Sequence, residues 1–394
     1  MSWNTQQQVG GFGAQQQQAQ VQQKQDFQAN EIPVPNPPTD SISSLSLNGD
    51  ANTPSTMLIA GSWDKTVSCY ELSYDQTGQL NNVAPQQRLE CDGAVLCTDI
   101  ASDGMTTFVG GTDNKVMMWN PSQGATAQQI GVHDAPVSAV KYSTELGVVL
   151  SASWDRSVRV WDTRQPNPVC TLPLTDKAHC MDVRGAAMVV GTADRKLHVF
   201  DLSQGANFAV INQYDSPLNY QTRCVSIFGD VAGFAVGCIE GRVAIENFAE
   251  MGKKSNQYTK SANFVFKCHR NKAQDKSSDI FPVNDISFTH LNTFSTVGSD
   301  GVINFWDKDQ RHRLRSYERF KGQSPITCST FSPTGNLFVY ALSYDWSMGA
   351  EHNKPTEVSN NIMIHQNTPQ EIQPKPKDAK PAVGSPAGNQ FGRR

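Results

Sequence analysis

One phrase recurs seven times between residues 60 and 349, and that recurrence limits the chain to a narrow set of architectures. It reads "AGSWDKTVSCYEL" (60–72), "GGTDNKVMMWN" (110–120), "SASWDRSVRVWDTR" (151–164), "VGTADRKLHVFDL" (190–202), "VGCIEGRVAIENF" (236–248), "TVGSDGVINFWDKD" (296–309) and "YALSYDWSMG" (340–349). The phrases align on an acidic residue: Asp64, Asp113, Asp155, Asp194, Glu240, Asp300 and Asp345. Small residues precede the acid, and alternating apolar positions follow it. Five phrases end on an aromatic six residues after the acid, at Tyr70, Trp119, Trp161, Phe200 and Trp306. Alternation on both sides of a tight turn predicts two antiparallel strands. Upstream runs such as "VSAVKYS" (137–143), "VNDISFT" (283–289) and "ITCSTFS" (326–332) add a further strand to most units.

Units of this length, with several short strands and a Trp-Asp signature, mark the blades of a WD40 β-propeller. The fold class predicted is all-β: a seven-bladed WD40 β-propeller over residues 29–366. The last unit offers "ITCSTFS", "NLFVYALS" and "NIMIHQ" (361–366), one strand short of four. The extended "NEIPVP" (30–35) is predicted to supply that strand and so close the ring without an open sheet edge. Residues 1–28 are rich in Gln and Gly and 367–394 in Pro, Lys, Gly and Ala, too poor in apolar anchors to offset ordering entropy. Both are expected to be disordered tails.

The formal charge is −4, which opposes indiscriminate binding to nucleic acid, since that depends on neutralising many phosphates. Nine cysteines are scattered singly, with no Cys-x-x-Cys, a pattern that fits reduced thiols in cytosol or nucleus. The N-terminus lacks the basic and apolar regions of a secretory leader, and no run of about 18 apolar residues occurs. A soluble, intracellular protein without membrane insertion is expected.

His133, Ser153 and Asp155 share the residue types of a hydrolytic triad. Together with Trp161, however, they occupy the places where WD40 blades carry a structural hydrogen-bond tetrad, and no Gly-x-Ser-x-Gly elbow is present. The structural role is therefore predicted, and no catalytic residue is assigned. Cys268-His269 lacks a second ligand pair at metal spacing, and no phosphate-binding Gly-x-x-x-x-Gly-Lys-Ser/Thr loop occurs. No metal and no cofactor are predicted.

Charge is uneven along the chain. Residues 250–321, which overlap the longest interval between phrases, Glu240 to Asp300, hold thirteen Lys or Arg against eight Asp or Glu. A long connection in a repeat scaffold often serves its binding face. Lys308 follows Trp306 by two residues and shares its strand face, and Arg242 follows the fifth acidic turn. Trp306, Lys308 and nearby arginines are expected to form an aromatic floor ringed by donors, suited to the carboxylates of an acidic peptide.

The ordered blocks "IEGRVAIENF", "FKCHR", "FPVNDISF", "TVGSDGVINFWDKD" and "SYDWSMG" resemble the mRNA export factor family of WD40 propellers, the Rae or Gle propellers. The likeness covers residues 30–366. It extends in part to a close cousin, the mitotic checkpoint propeller that binds the Bub kinases, a spindle-checkpoint scaffold that would use the same face. The "KD" after the sixth Trp-Asp and the Trp of "SYDWSMG" favour the export family. The resemblance implies a non-enzymatic scaffold at the nuclear pore and nuclear envelope, shuttling between nucleus and cytoplasm and serving messenger ribonucleoprotein export. Its implied partner is an acidic segment, the Gle-two binding sequence, of a phenylalanine-glycine nucleoporin, bound by a single propeller in a heteromeric complex. Carried over, the partner-binding residues are Arg242, Phe266, Trp306, Lys308, Arg311 and Arg313. The fifth phrase departs from the others in placing Glu246 where they carry an aromatic.

Overall fold

The computed structural model describes residues 30–49, 56–203, 208–251, 262–272, 278–318, 320–353 and 360–374. Seven four-stranded antiparallel sheets follow one another along the chain, each a meander from an inner strand outward. Blade 3 is representative, with strands Val137–Ser143, Val148–Ser153, Ser157–Trp161 and Cys170–Pro173. Second strands such as Ala187–Thr192 and Gly233–Cys238 are buried at every position. Both of their faces meet a neighbouring blade, so small and β-branched residues run through them without a polar alternation. Seven apolar clusters result, one in each interface between blades, including the seam between blades 7 and 1, where Val339, Ile362 and Ile364 meet Leu58 and Tyr70.

The ring closes as the strand deficit of the last unit predicts. Glu31–Pro33 forms the outer strand of blade 7, pairing antiparallel with Met363–His365. The Tyr340 hydroxyl donates to the Glu31 carboxylate and fixes the register of this short strand.

Every inner strand carries a β-bulge at its second residue. A bulge leaves one residue out of the ladder and re-aims its side chain. Here those side chains, or the thiol next to them, link each blade to the first inner-strand carbonyl of the following one. Ser43 Oγ donates to Val95 O at 2.6 Å, Cys97 Sγ to Val137 O at 3.6 Å, and Ser138 Oγ to Ala178 O at 2.8 Å. His179 Nδ1 donates to Thr222 O at 3.3 Å, Cys224 Sγ to Val283 O at 3.8 Å, and Asn284 Nδ2 to Ile326 O at 2.8 Å. Cys328 Sγ then donates to Ile42 O at 3.9 Å and completes the circle. Thiols act where the bulged residue is Leu96, Arg223 or Thr327. Burial pushes all three thiols well above the usual cysteine range, so they stay protonated as donors must.

The chain does not leave the propeller at 366. A one-turn helix, Pro369–Ile372, follows, with Glu371 and Ile372 buried, so the composition-based boundary falls too early. The Glu371 carboxylate accepts from the Tyr317 hydroxyl, the Thr368 backbone N–H and hydroxyl, and lies 3.3 Å from His365 Nε2. One buried carboxylate thereby ties the helix to blades 6 and 7. The remaining predicted tail residues, 1–28 and 375–394, lie outside the described residues. Among the described residues no helix is long and apolar enough to cross a membrane.

Burial would raise the Glu371 pKa, but its hydrogen bonds from His365 and Tyr317 overcome that and hold it down to about 2. A depressed carboxyl stabilises the fold above its unfolded value of about 4.3 and loses that contribution as pH falls toward 2. Glu371→Gln is expected to lower the denaturation midpoint at pH 7, with the gap to wild type narrowing below pH 4.5; urea titrations at several pH values measure it.

Candidate partner-binding site

Two buried networks organise blades 3 and 6. In blade 3 the Trp161 indole donates to Ser151 Oγ at 2.7 Å, Ser151 Oγ lies 2.7 Å from His133 Nε2, and His133 Nδ1 lies 2.8 Å from Asp155 Oδ2. Burial lowers the His133 pKa, which keeps the imidazole neutral. Burial opposes ionisation of Asp155, yet its hydrogen bonds from Ser157 and His133 prevail and lower its pKa. The consistent assignment is a relay in which Trp161 donates to Ser151, Ser151 to Nε2, and Nδ1–H to the carboxylate.

The serine of this tetrad is therefore Ser151, not the predicted Ser153. Trp161 pairs with Val149 in the ladder, and Ser153 lies two residues beyond Ser151, about 6.6 Å farther along the strand. Ser153 Oγ instead donates to Ala135 O at 3.0 Å and accepts from the Asp155 N–H, so it shares no hydrogen bond with His133.

Blade 6 repeats the relay with residues that the sequence pattern hid. Trp306 donates to Thr296 Oγ1 at 3.0 Å, His269 Nε2 lies 3.0 Å from the same oxygen, and His269 Nδ1 lies 2.8 Å from Asp300. His269 belongs to "FKCHR", where the sequence offered only an unsupported metal ligand. It stands 31 residues before its aspartate, against 22 in blade 3, because the hairpin Arg270–Lys272 and Ser278–Ile280 intervenes. Spacing alone could not align them.

This placement changes the role of two predicted site residues. Trp306 and Phe266 are each 3% exposed, their ring centroids 4.6 Å apart in the apolar cluster between blades 5 and 6. They are core residues under the surface, and the aromatic floor expected there is closed over.

The cations above them are accessible to different degrees. The Lys308 side chain is 7% exposed, with Nζ 2.7 Å from Asp309 Oδ1, 3.6 Å from Asp230 Oδ2 and 4.8 Å from the Phe228 ring. Arg311 adopts a left-handed turn conformation (φ 56°) and lays its guanidinium 4.5 Å over Phe264. Arg313 is exposed and reaches Asn304 Oδ1 at 3.2 Å. The structure thus brings Lys308, Arg311 and Arg313 to one end of the blade 5–6 interface, while Phe266, paired with Val243, packs on Trp306 in its interior.

It does not bring Arg242 to them. Arg242 opens the strand Arg242–Asn247 directly after the acidic turn, whereas Lys308 follows the last residue of the corresponding strand in blade 6. Six residues of strand, about 20 Å, separate the two levels. Arg242 lies instead beside Glu240 (3.1 Å), which Arg270 also contacts. The long Glu240–Asp300 interval is likewise divided. The short turn Phe248–Glu250 lies at the Lys308 end, and the paired strands Arg270–Lys272 and Ser278–Ile280 at the Arg242 end.

At the Arg242 end the structure also exposes residues that no site prediction included: Trp63 (41%), Trp154 (36%) and Trp346 (40%). Their sequence signal was a Trp beside the acid of the turn, in "SWDK", "SWDR" and "YDWS", where no strand can bury it.

Comparison with known proteins finds the WD domain, G-beta repeat, matched over residues 125–162. The chain is 38% identical over 357 residues to mRNA export factor GLE2 of Chaetomium thermophilum, covering 89% of this chain and 94% of that protein. It is 41% identical to Protein RAE1 of Arabidopsis thaliana, covering 88% and 92%. Poly(A)+ RNA export protein of Schizosaccharomyces pombe is 38% identical, covering 89% and 94%. Among solved structures, U3-55K superposes with a TM-score of 0.67 at 16% identity, over 86% of this chain and 99% of that one, a likeness of fold alone.

Proposed function

We propose a role for this chain from its family: it belongs to the mRNA export factors, the Gle2/Rae1 family of WD40 propellers. It acts as a non-enzymatic scaffold that binds an acidic segment of a phenylalanine-glycine nucleoporin and supports passage of messenger ribonucleoprotein through the nuclear pore. Its place of action is accordingly the nucleus and nuclear pore, with exchange into the cytoplasm.

The observation that carries this reading is the cation cluster of Lys308, Arg311 and Arg313 at one end of blades 5 and 6. Arg313 lies on the strand His312–Tyr317, and Lys308 and Arg311 lie in the tight turn that leads into it; charge-assisted bonds to carboxylates reward such preorganisation. Lys308 already engages two carboxylates, Asp230 and Asp309, the chemistry that an incoming glutamate would share. Arg242 remains a second contact for a segment long enough to span the blade, six or more extended residues.

Lys308→Met combined with Arg311→Glu tests the reading. Binding to a nucleoporin segment, measured by pull-down from nuclear extract and by calorimetry with a glutamate-rich peptide, is expected to fall at least tenfold with an unchanged circular dichroism spectrum. Lys308→Glu is a poorer probe, because it would bury a third carboxylate beside Asp230 and Asp309. Undiminished capture of the nucleoporin by the double variant would remove this site from the proposal.

A further inference from the structure

The residue after the acidic turn has a left-handed backbone in all seven blades: Lys65, Asn114, Arg156, Arg195, Gly241, Gly301 and Trp346, with φ between 59° and 71°. Glycine or asparagine suits that conformation, and a bulky aromatic is an outlier there. Blade 7 alone places a tryptophan in it. Trp346 is 40% exposed beside Trp63 of blade 1, also 41% exposed, with ring centroids 6.5 Å apart. Met348, 63% exposed, stands two residues on, and buried Tyr344 supports Trp346 from below at 5.5 Å. A strained turn that presents an indole to water, instead of hiding it, points to a use for that indole.

Carboxylates adjoin the pair along the chain. Asp64 follows Trp63 and accepts from Thr39, Asp40 lies one residue farther on, and exposed Glu351 follows Met348 on the short turn Ala350–His352. Asp345, one residue before Trp346, is buried and accepts from Asn284, Ser299 and Ser347. Against these stand His352 and Lys65, and Lys65 acts on Asp92 of the next blade. The seam is thus an aromatic surface with an acidic rim, opposite in sign and at the opposite end from the Lys308 cluster.

We infer that the Trp63–Trp346 seam is a docking site for an arginine-bearing peptide segment of a partner protein. Charge complementarity selects the cation, and a guanidinium stacks on an indole face while its N–H groups reach carboxylates at the edge. Two indoles and a methionine on rigid turns have the composition of an interface hot spot. The inference is independent of the nucleoporin reading, since an acidic segment would be repelled here.

A fluorescein-labelled, amidated peptide with two arginines flanking a phenylalanine, and its glutamate counterpart, serve as probes in anisotropy titrations with the full chain. Wild type is expected to bind the arginine peptide at least tenfold more tightly than the glutamate peptide, and to weaken as salt is raised. Trp346→Gly is expected to lose at least tenfold in affinity while keeping the fold, because Gly241 and Gly301 serve the same turn in other blades. Exposed Glu351→Lys gives a second variant without risk to packing, with a several-fold loss expected. Equal binding of both peptides, or affinity unchanged by both variants, would overturn the inference. So would tighter binding by Arg393→Ala/Arg394→Ala, which would make the chain's own "FGRR" the occupant.

Discussion

Trp306→Ala is expected to destabilise the propeller by about 3–5 kcal/mol, the range for removing a large aromatic from a packed core. The indole is 3% exposed, packs on Phe266 at 4.6 Å and donates to Thr296. Its removal empties the centre of the blade 5–6 interface and takes one donor from the His269–Thr296–Asp300 relay. Chemical denaturation measures the loss, and Trp306→Phe separates its parts by keeping most of the volume and deleting the N–H. A cost below about 1 kcal/mol would mean that the indole is on the surface after all. A large cost has a practical consequence: loss of partner binding in a Trp306 variant cannot be attributed to a lost contact unless folding is measured alongside.

The second large effect concerns the circle of links between the inner strands. Asn284→Leu is expected to cost about 2–3 kcal/mol, because it strands the buried Ile326 carbonyl and takes one donor from the Asp345 carboxylate, which keeps those of Ser299 and Ser347. Asn284 Nδ2 donates to Ile326 O at 2.8 Å and to Asp345 Oδ2 at 3.2 Å, and the residue is 7% exposed. Cys97→Ala breaks the homologous link between blades 2 and 3, but a thiol at 3.6 Å is a weak donor. Its expected cost is about 1 kcal/mol. Thermal melts of the two variants would rank the links, and a cysteine link as costly as the amide would contradict the graded series of donors.

Much of the fold was legible because its period is long and its turns are chemically marked. An acid after small residues and an aromatic six residues later located the blades, and the missing strand of the last one pointed to residues 30–35. The departures have physical causes. Ser153 and Ser151 both face the same side of their strand, so the pattern could not tell them apart; the reach of the Trp161 indole does. Trp306 was expected at the surface of the site, since composition does not reveal that Phe266 and blade 5 cover it. Arg242 and Lys308 occupy the beginning and the end of equivalent strands, a difference in height that a one-dimensional alignment of blocks hides. Glu371 escaped notice because one buried turn of helix has too little periodicity to register in a Pro- and Lys-rich stretch.

The ring closure carries a consequence for the way the protein is made. Glu31 pairs with His365, so the first strand among the described residues must wait for one made more than 300 residues later. At about 5–20 residues per second, that wait is on the order of 15–70 s. Throughout it, Asn361–Gln366 does not yet exist and blade 1 has no seventh blade to lean on, so the apolar side chains destined for that seam are exposed to whatever else is nearby. A nascent chain in this condition is a natural client for a holding chaperone. Variants that weaken the Glu31–Tyr340 contact should therefore show themselves first as a fall in soluble yield, before any change in the affinity of the finished protein.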